Sequence, residues 1–258
     1  MKRLILIIII LTCLTVGGCT LTQSNDFNLT VTPSATFTPT PTTADPETIS
    51  LNFEDKTYQI SWFTIKDPEQ LTLIANFQNK LSADEIIKKH ACQRGINAGF
   101  YGKDNRPLGI FINDQNDRKN KLESNLFNGI FYLTSNNLFS IEEELPDKPL
   151  KFALQSGPFL IFHKNTLPLK IIDDKLARRM VVATNEKEII FLAVYDKISP
   201  LQGPYLSSLP KIIEAFSQKT GREIINALNL DGGSASAFTK PGLQLKEISA
   251  VGGFFCHK

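Results

Sequence analysis

Beyond residue 49 the chain is punctuated too often for long helices. Short apolar or alternating runs are broken every few residues by Gly, Pro, Asn and Asp, and a helical period shows in only two places. Runs of this length read as strands joined by turns. Leu51-Asn52-Phe53 and Thr57 to Phe63, parted by Glu54-Asp55-Lys56, make an expected hairpin, followed by a strand over Leu71 to Phe77. Gly129 to Leu133 and Leu138 to Ile141 add short strands, and Leu176 to Ala183 with Ile189 to Tyr195 make a second hairpin. Both helical segments carry end signals. Ser82-Ala83-Asp84-Glu85 is a capping box ahead of Ile86 and Ile87, with Gly95 beyond. Ile212, Ile213, Ala215 and Phe216 stripe one face of Pro210 to Lys219, with Ser208 as candidate cap and Gly221 after it. The expectation is an α+β fold: a mixed, largely antiparallel sheet with a few flanking helices, in a single domain over residues 49–258.

The first 48 residues do not share this pattern. Met1-Lys2-Arg3, the apolar and threonine run Leu4 to Val16, and Val16-Gly17-Gly18-Cys19 resemble a bacterial lipoprotein signal. The apolar run is shorter than a comfortable bilayer span and has the length of a secretory core. Residues 1–19 are therefore expected to be a signal peptide, with Cys19 lipidated after cleavage; an uncleaved signal anchor is the less favoured reading. Residues 20–48, rich in Thr, Ser, Asn and Pro, are expected to be an unfolded tether. The folded part is thus expected to lie lipid-anchored and extracytoplasmic at a bacterial cell membrane. Cys92 and Cys256 are then the two cysteines of the folded part, and both a disulfide and separate burial are open to them.

Composition excludes some partners. With 28 Lys+Arg against 26 Asp+Glu there is no basic excess to hold nucleic acid. His90, His163 and His257 are widely separated and stand in no metal-ligand spacing. No cofactor is expected, although a divalent cation beside Asp231 remains open.

The chemistry-bearing stretch is Asn229-Leu230-Asp231-Gly232-Gly233-Ser234-Ala235-Ser236, after the apolar run Ile224 to Leu228. One acid is followed by two glycines, which let backbone approach a ligand, and by hydroxyls. Alone, Asp-Gly-Gly reads more readily as a turn. Three other fragments give it context: Asn97-Ala98-Gly99-Phe100-Tyr101; Gln155-Ser156-Gly157-Pro158, which interrupts an apolar run; and Arg179 at the head of a hydrophobic strand.

These four fragments, in this order, resemble the phosphodiester glycosidase family. The resemblance spans roughly Ile96 to Phe238, and the helix leading into Asn-Leu-Asp-Gly-Gly is its most specific part. It departs from the family pattern at Ala98, Met180, Val181 and Ala183, and at the end of the chain. The resemblance implies hydrolysis of the glycosidic bond of a sugar 1-phosphodiester or phosphoglycan. A phosphate monoester leaves as a stable anion, which relaxes the need for the second carboxylate of ordinary glycosidases. Asp231 is then the expected base or nucleophile, Arg179 the phosphate ligand, and Asn97 a third catalytic residue. Gln155, Ser156 and Ser234, with the Gly232 and Gly233 amides, are expected to bind substrate. Asp114 is the reserve carboxylate, and His163 is left as a surface or core residue. Glycan binding without turnover, and phosphodiesterase attack at phosphorus, are the alternatives.

Overall fold

The structure, a computed structural model, describes residues 47–104, 106–114 and 116–258. The signal segment, Cys19 and the tether up to residue 46 lie outside the described residues. Among those described, no helix is long and apolar enough to cross a membrane.

Seven strands make the largest sheet, in the spatial order Thr48–Phe53, Lys56–Ile65, Ile189–Asp196, Arg179–Thr184, Asn226–Asn229, Phe159–Phe162 and Asn165–Thr166. Both of its faces are covered. Phe63, Phe191 and Val182 point to one core, while Trp62, Leu192 and Val181 point to the other, as the alternation of a strand requires. This is why the runs read as nearly continuous apolar sequence.

The second core is closed by the helix Leu209–Thr220 through Ile212, Ile213 and Phe216. The first is shared with two five-stranded sheets. One runs Leu243–Leu245, Phe238–Lys240, Arg94–Asn97, Gly253–His257, Leu71–Ala75; the other runs Asn116–Arg118, Phe111–Asn113, Leu150–Ser156, Gly129–Thr134, Phe139–Glu142. Phe255 and Phe131 bring these sheets together at 5.4 Å between ring centroids, and Phe191 meets Phe255 at 5.3 Å. Edge-on aromatic contacts of this kind add about 1 kcal/mol beyond the area they bury.

The α+β expectation is corrected: the fold is mostly β, with 40% of the described residues in strands and 12% helical. The two helices exist but hold only 8 and 12 residues. Short strands such as Asn116–Arg118, which carries no apolar residue, shift the balance. Nor are the sheets mixed, since every pairing among the described strands is antiparallel.

Local signals hold closely elsewhere. Ser82 and Glu85 form the reciprocal capping box, although the helix stops at His90, with Ala91 in the left-handed conformation, well before Gly95. Gly221, at φ 67°, ends the second helix. Gln155 to Pro158 does break its apolar run into two strands, Leu150–Ser156 and Phe159–Phe162, which belong to different sheets. Cys92 and Cys256 form a disulfide that closes a separation of 164 residues.

Candidate active site

Arg179–Thr184 and Asn226–Asn229 are antiparallel neighbours in the large sheet, so the start of one lies beside the end of the other, and Arg94–Asn97 of a second sheet brings Asn97 to the same place. There the backbone of Asp231 is held from both sides: its amide donates to the Ala98 carbonyl at 3.2 Å, and its carbonyl accepts from Asn97 Nδ2 at 2.7 Å. Asn97 Oδ1 accepts from the Ala237 amide at 2.9 Å. The Asn97 side chain, 1% exposed, is therefore committed to backbone and fixes the turn that carries the acid.

Asp231 opens onto a cavity of about 250 Å³ lined by Phe100, Leu126, Phe127, Gly157, Pro158, Ala177, Arg179, Leu206, Asn229, Asp231, Gly232 and Gly233. At about 30 Å³ per water this is room for about eight waters, the scale of a single sugar ring. Burial pushes the Asp231 carboxyl up to about 7, opposed only by a hydrogen bond from the Gly232 amide. The Asp231 charge is felt by Tyr101, whose hydroxyl is raised first by burial and then by that charge, while it donates to the Ala250 carbonyl at 2.6 Å.

Arg179 reaches the same cavity from the head of its strand. Its Nε donates to the Pro204 carbonyl at 3.0 Å, and Nη2 meets Asp174 Oδ1 at 3.4 Å. Burial lowers its pKa and the Asp174 charge opposes the shift. Burial would raise Asp174, but the Ser207 and Leu206 amides, the Ser207 hydroxyl and Arg179 outweigh it, so this carboxyl lies below the usual range. Asp174 thus ties Arg179 to the 206–207 segment, with amide contacts of 3.0 Å from Leu206 and 2.8 Å from Ser207.

Arg178 is the contrasting neighbour. Only 1% exposed, it donates to Ser236 Oγ at 2.8 Å and to the carbonyls of Ser236 and Lys246, and burial lowers its pKa to about 10. It braces the turn after Asp231 while Arg179 faces the cavity.

The other expected binding groups are engaged within the fold. Gln155 accepts from the Ile110 and Leu122 amides at 3.1 and 2.9 Å, and donates to the Leu122 and Phe127 carbonyls at 2.7 and 2.6 Å. It shapes the loop that supplies Leu126 and Phe127. Ser156 Oγ donates to the Asn229 carbonyl at 2.7 Å. The Gly233 amide, at φ +64°, donates to the Arg178 carbonyl at 2.9 Å, a conformation that glycine adopts without strain. A Cβ on Gly232 would stand 2.7 Å from that carbonyl. Ser234 is exposed, shares a hydrogen bond with Ser249 Oγ at 2.9 Å, and does not line the cavity. Asp114 and His163 are exposed and lie outside it, His163 stacking on Phe162.

Two contributors went unassigned in the sequence. Asn229 lines the cavity 3% exposed; its Nδ2 donates to the Gly157 carbonyl at 2.9 Å, whereas Oδ1 is buried without a partner. Its place directly before Leu230-Asp231 was the available signal. Asp174 carries none, being one acid in a polar loop. A larger cleft of about 570 Å³, between Phe77, Lys80, Asp104 and Arg106, contains none of the motif residues. No group of three or more His, Cys, Asp or Glu able to hold a metal occurs among the described residues.

The phosphodiester glycosidase family model matches residues 90–250, and the chain belongs to that family. Among solved structures, the catalytic domain of zebrafish N-acetylglucosamine-1-phosphodiester alpha-N-acetylglucosaminidase, auto-inhibited by its pro-peptide, is similar in fold. It has a TM-score of 0.62 and 13% identity over 81% of each chain. A hypothetical protein from Synechocystis is similar with a TM-score of 0.52 and 15% identity, over 81% of this chain and 61% of that one. No curated protein sequence matches the chain.

Proposed function

We propose that this protein is a lipid-anchored, extracytoplasmic hydrolase that cleaves the glycosidic bond of a sugar 1-phosphodiester in envelope or extracellular glycans. The observation that carries the reading is the convergence of Asp231 and Arg179, 52 residues apart by their numbering, on one cavity of sugar size, with Asn97 holding the Asp231 turn from behind. Family membership gives the reaction class. The Cys92–Cys256 disulfide supports an oxidising compartment, and with it the secretory reading of residues 1–19.

Water, or Asp231 itself, attacks the anomeric carbon as the bond from that carbon to the phosphate oxygen breaks. As base, Asp231 takes the proton of the attacking water and later yields it to solvent. A pKa of about 7 suits this, because the carboxylate is a stronger base than an ordinary aspartate and is still half ionised near neutrality. The departing phosphate monoester keeps its electron pair, and Arg179 faces that charge from a fixed position. Asn97, Gln155 and Ser156 act as positioning residues through the backbone they hold.

The test is incubation of the full chain with a panel of sugar 1-phosphodiesters, measuring free sugar and phosphate monoester. The expected result is equimolar release of both by the wild type and none above background by Asp231→Ala. Saturable binding with no release across the panel would replace the hydrolase with a glycan-binding protein.

A further inference from the structure

The hydrogen-bond inventory around the cavity is unbalanced in a way that concerns the part of the substrate beyond the phosphate. Of the polar groups near Asp231, the side chains of Asn97, Gln155 and Ser156 and the amides of Gly232 and Gly233 all bond within the protein. The polar side chains left on the cavity wall are Asp231, Arg179 and Asn229. In the proposed reaction Asp231 acts at the anomeric carbon and Arg179 at the phosphate, and Asn229, whose Oδ1 is buried without a partner, is two residues before the acid. The remaining side chains of the wall are hydrocarbon.

Leu206 fixes which hydrocarbon lies beyond the phosphate. It follows Pro204, whose carbonyl accepts from Arg179, and its own amide is held by Asp174, the ion-pair partner of Arg179. It is therefore fastened to the phosphate end of the cavity. Leu126 lines the same cavity and is 47% exposed, so part of its apolar side chain meets solvent.

We propose that the aglycone is apolar: an alkyl or aryl alcohol esterified to the sugar 1-phosphate, seated on Leu206 and Leu126. The inference rests on the hydrolase reading and narrows it: the glycan supplies the sugar on the Asp231 side, and the group beyond the phosphate is apolar. A polyhydroxylated aglycone entering here gives up its bonds to water and finds no donor or acceptor in exchange, and a site without partners rejects such a group. An apolar aglycone instead removes carbon surface of both leucines from water.

The experiment compares kcat/KM for glyceryl, propyl and benzyl diesters of whichever sugar 1-phosphate the full-length enzyme cleaves. Propyl and glyceryl share a three-carbon skeleton and differ in two hydroxyls, so the comparison reads chiefly the cost of the hydroxyls. The expected order is benzyl above propyl above glyceryl, with at least a tenfold span. Leu206→Asn and Leu126→Asn are each expected to shrink that span. Leu126 is half exposed, so its variant folds even if the Leu206 variant does not. Cleavage of all three with no preference, or a preference for glyceryl, overturns the inference and leaves the hydrolase standing. A benzyl preference untouched by the Leu126 variant and by a folded Leu206 variant overturns the assigned wall. Failure to cleave any sugar 1-phosphodiester overturns both readings.

Discussion

Asp231 sets the pH behaviour of the protein in two opposite senses. In its proposed role as base it must be ionised, so kcat/KM is expected to rise with pH and level off above about 7. For stability the sign reverses. The unfolded aspartate loses its proton near pH 4, whereas the native one keeps it until about 7, so stability falls as pH rises through that window and the deficit persists above it. Asp231→Asn is therefore expected to be inactive yet more stable than wild type at pH 8, by up to about 4 kcal/mol, with the gain vanishing below pH 4; thermal melts at both pH values check it. Arg179 gives the second residue-scale test. Arg179→Lys loses the planar fork that reaches Pro204 and Asp174 together, and Asp174→Asn loosens the same arm from the other side. Each is expected to lower kcat/KM roughly 10- to 100-fold, the worth of one or two charge-assisted bonds. Asp231→Asn, by contrast, acts on kcat.

Elements explain why some of this was legible in the sequence and some was not. The hairpin Thr48–Phe53 with Lys56–Ile65, and the two helices, could be read because alternation and caps are local signals. The pairing of Arg94–Asn97 could not, since its partners lie far away at Phe238–Lys240 and Gly253–His257. The motif names Arg179, and direction separates it from its neighbour Arg178: one side chain reaches the cavity and the other the turn after Asp231. Motifs name residue types but not where their hydrogen bonds go. Hence Asn97 reads as a catalytic residue and Gln155 as a substrate ligand, whereas their bonds run to backbone that carries the acid and the cavity loop. Asn97→Ala leaves the Asp231 carbonyl and the Ala237 amide unpaired, and is expected to cost about 3 kcal/mol in urea unfolding along with most of kcat.

At the scale of the molecule, three antiparallel sheets share one phenylalanine-rich core, and the cavity lies where chain leaves that core at Asn97, Ser156 and Asn229. The disulfide fastens the strand Gly253–His257 to the end of the helix Ala83–His90, across 164 residues. Its reduction is expected to lower stability by up to about 5 kcal/mol by the loop-entropy relation, read as a drop in the urea midpoint with dithiothreitol. All of this serves one claim, that the fold delivers Asp231 to an anomeric carbon and not to phosphorus. Turnover of a sugar 1-phosphodiester in 18O-labelled water tests it most directly. The account predicts label in the released sugar, none in the phosphate monoester, and no release by Asp231→Ala; label in the phosphate would contradict it and make the protein a phosphodiesterase.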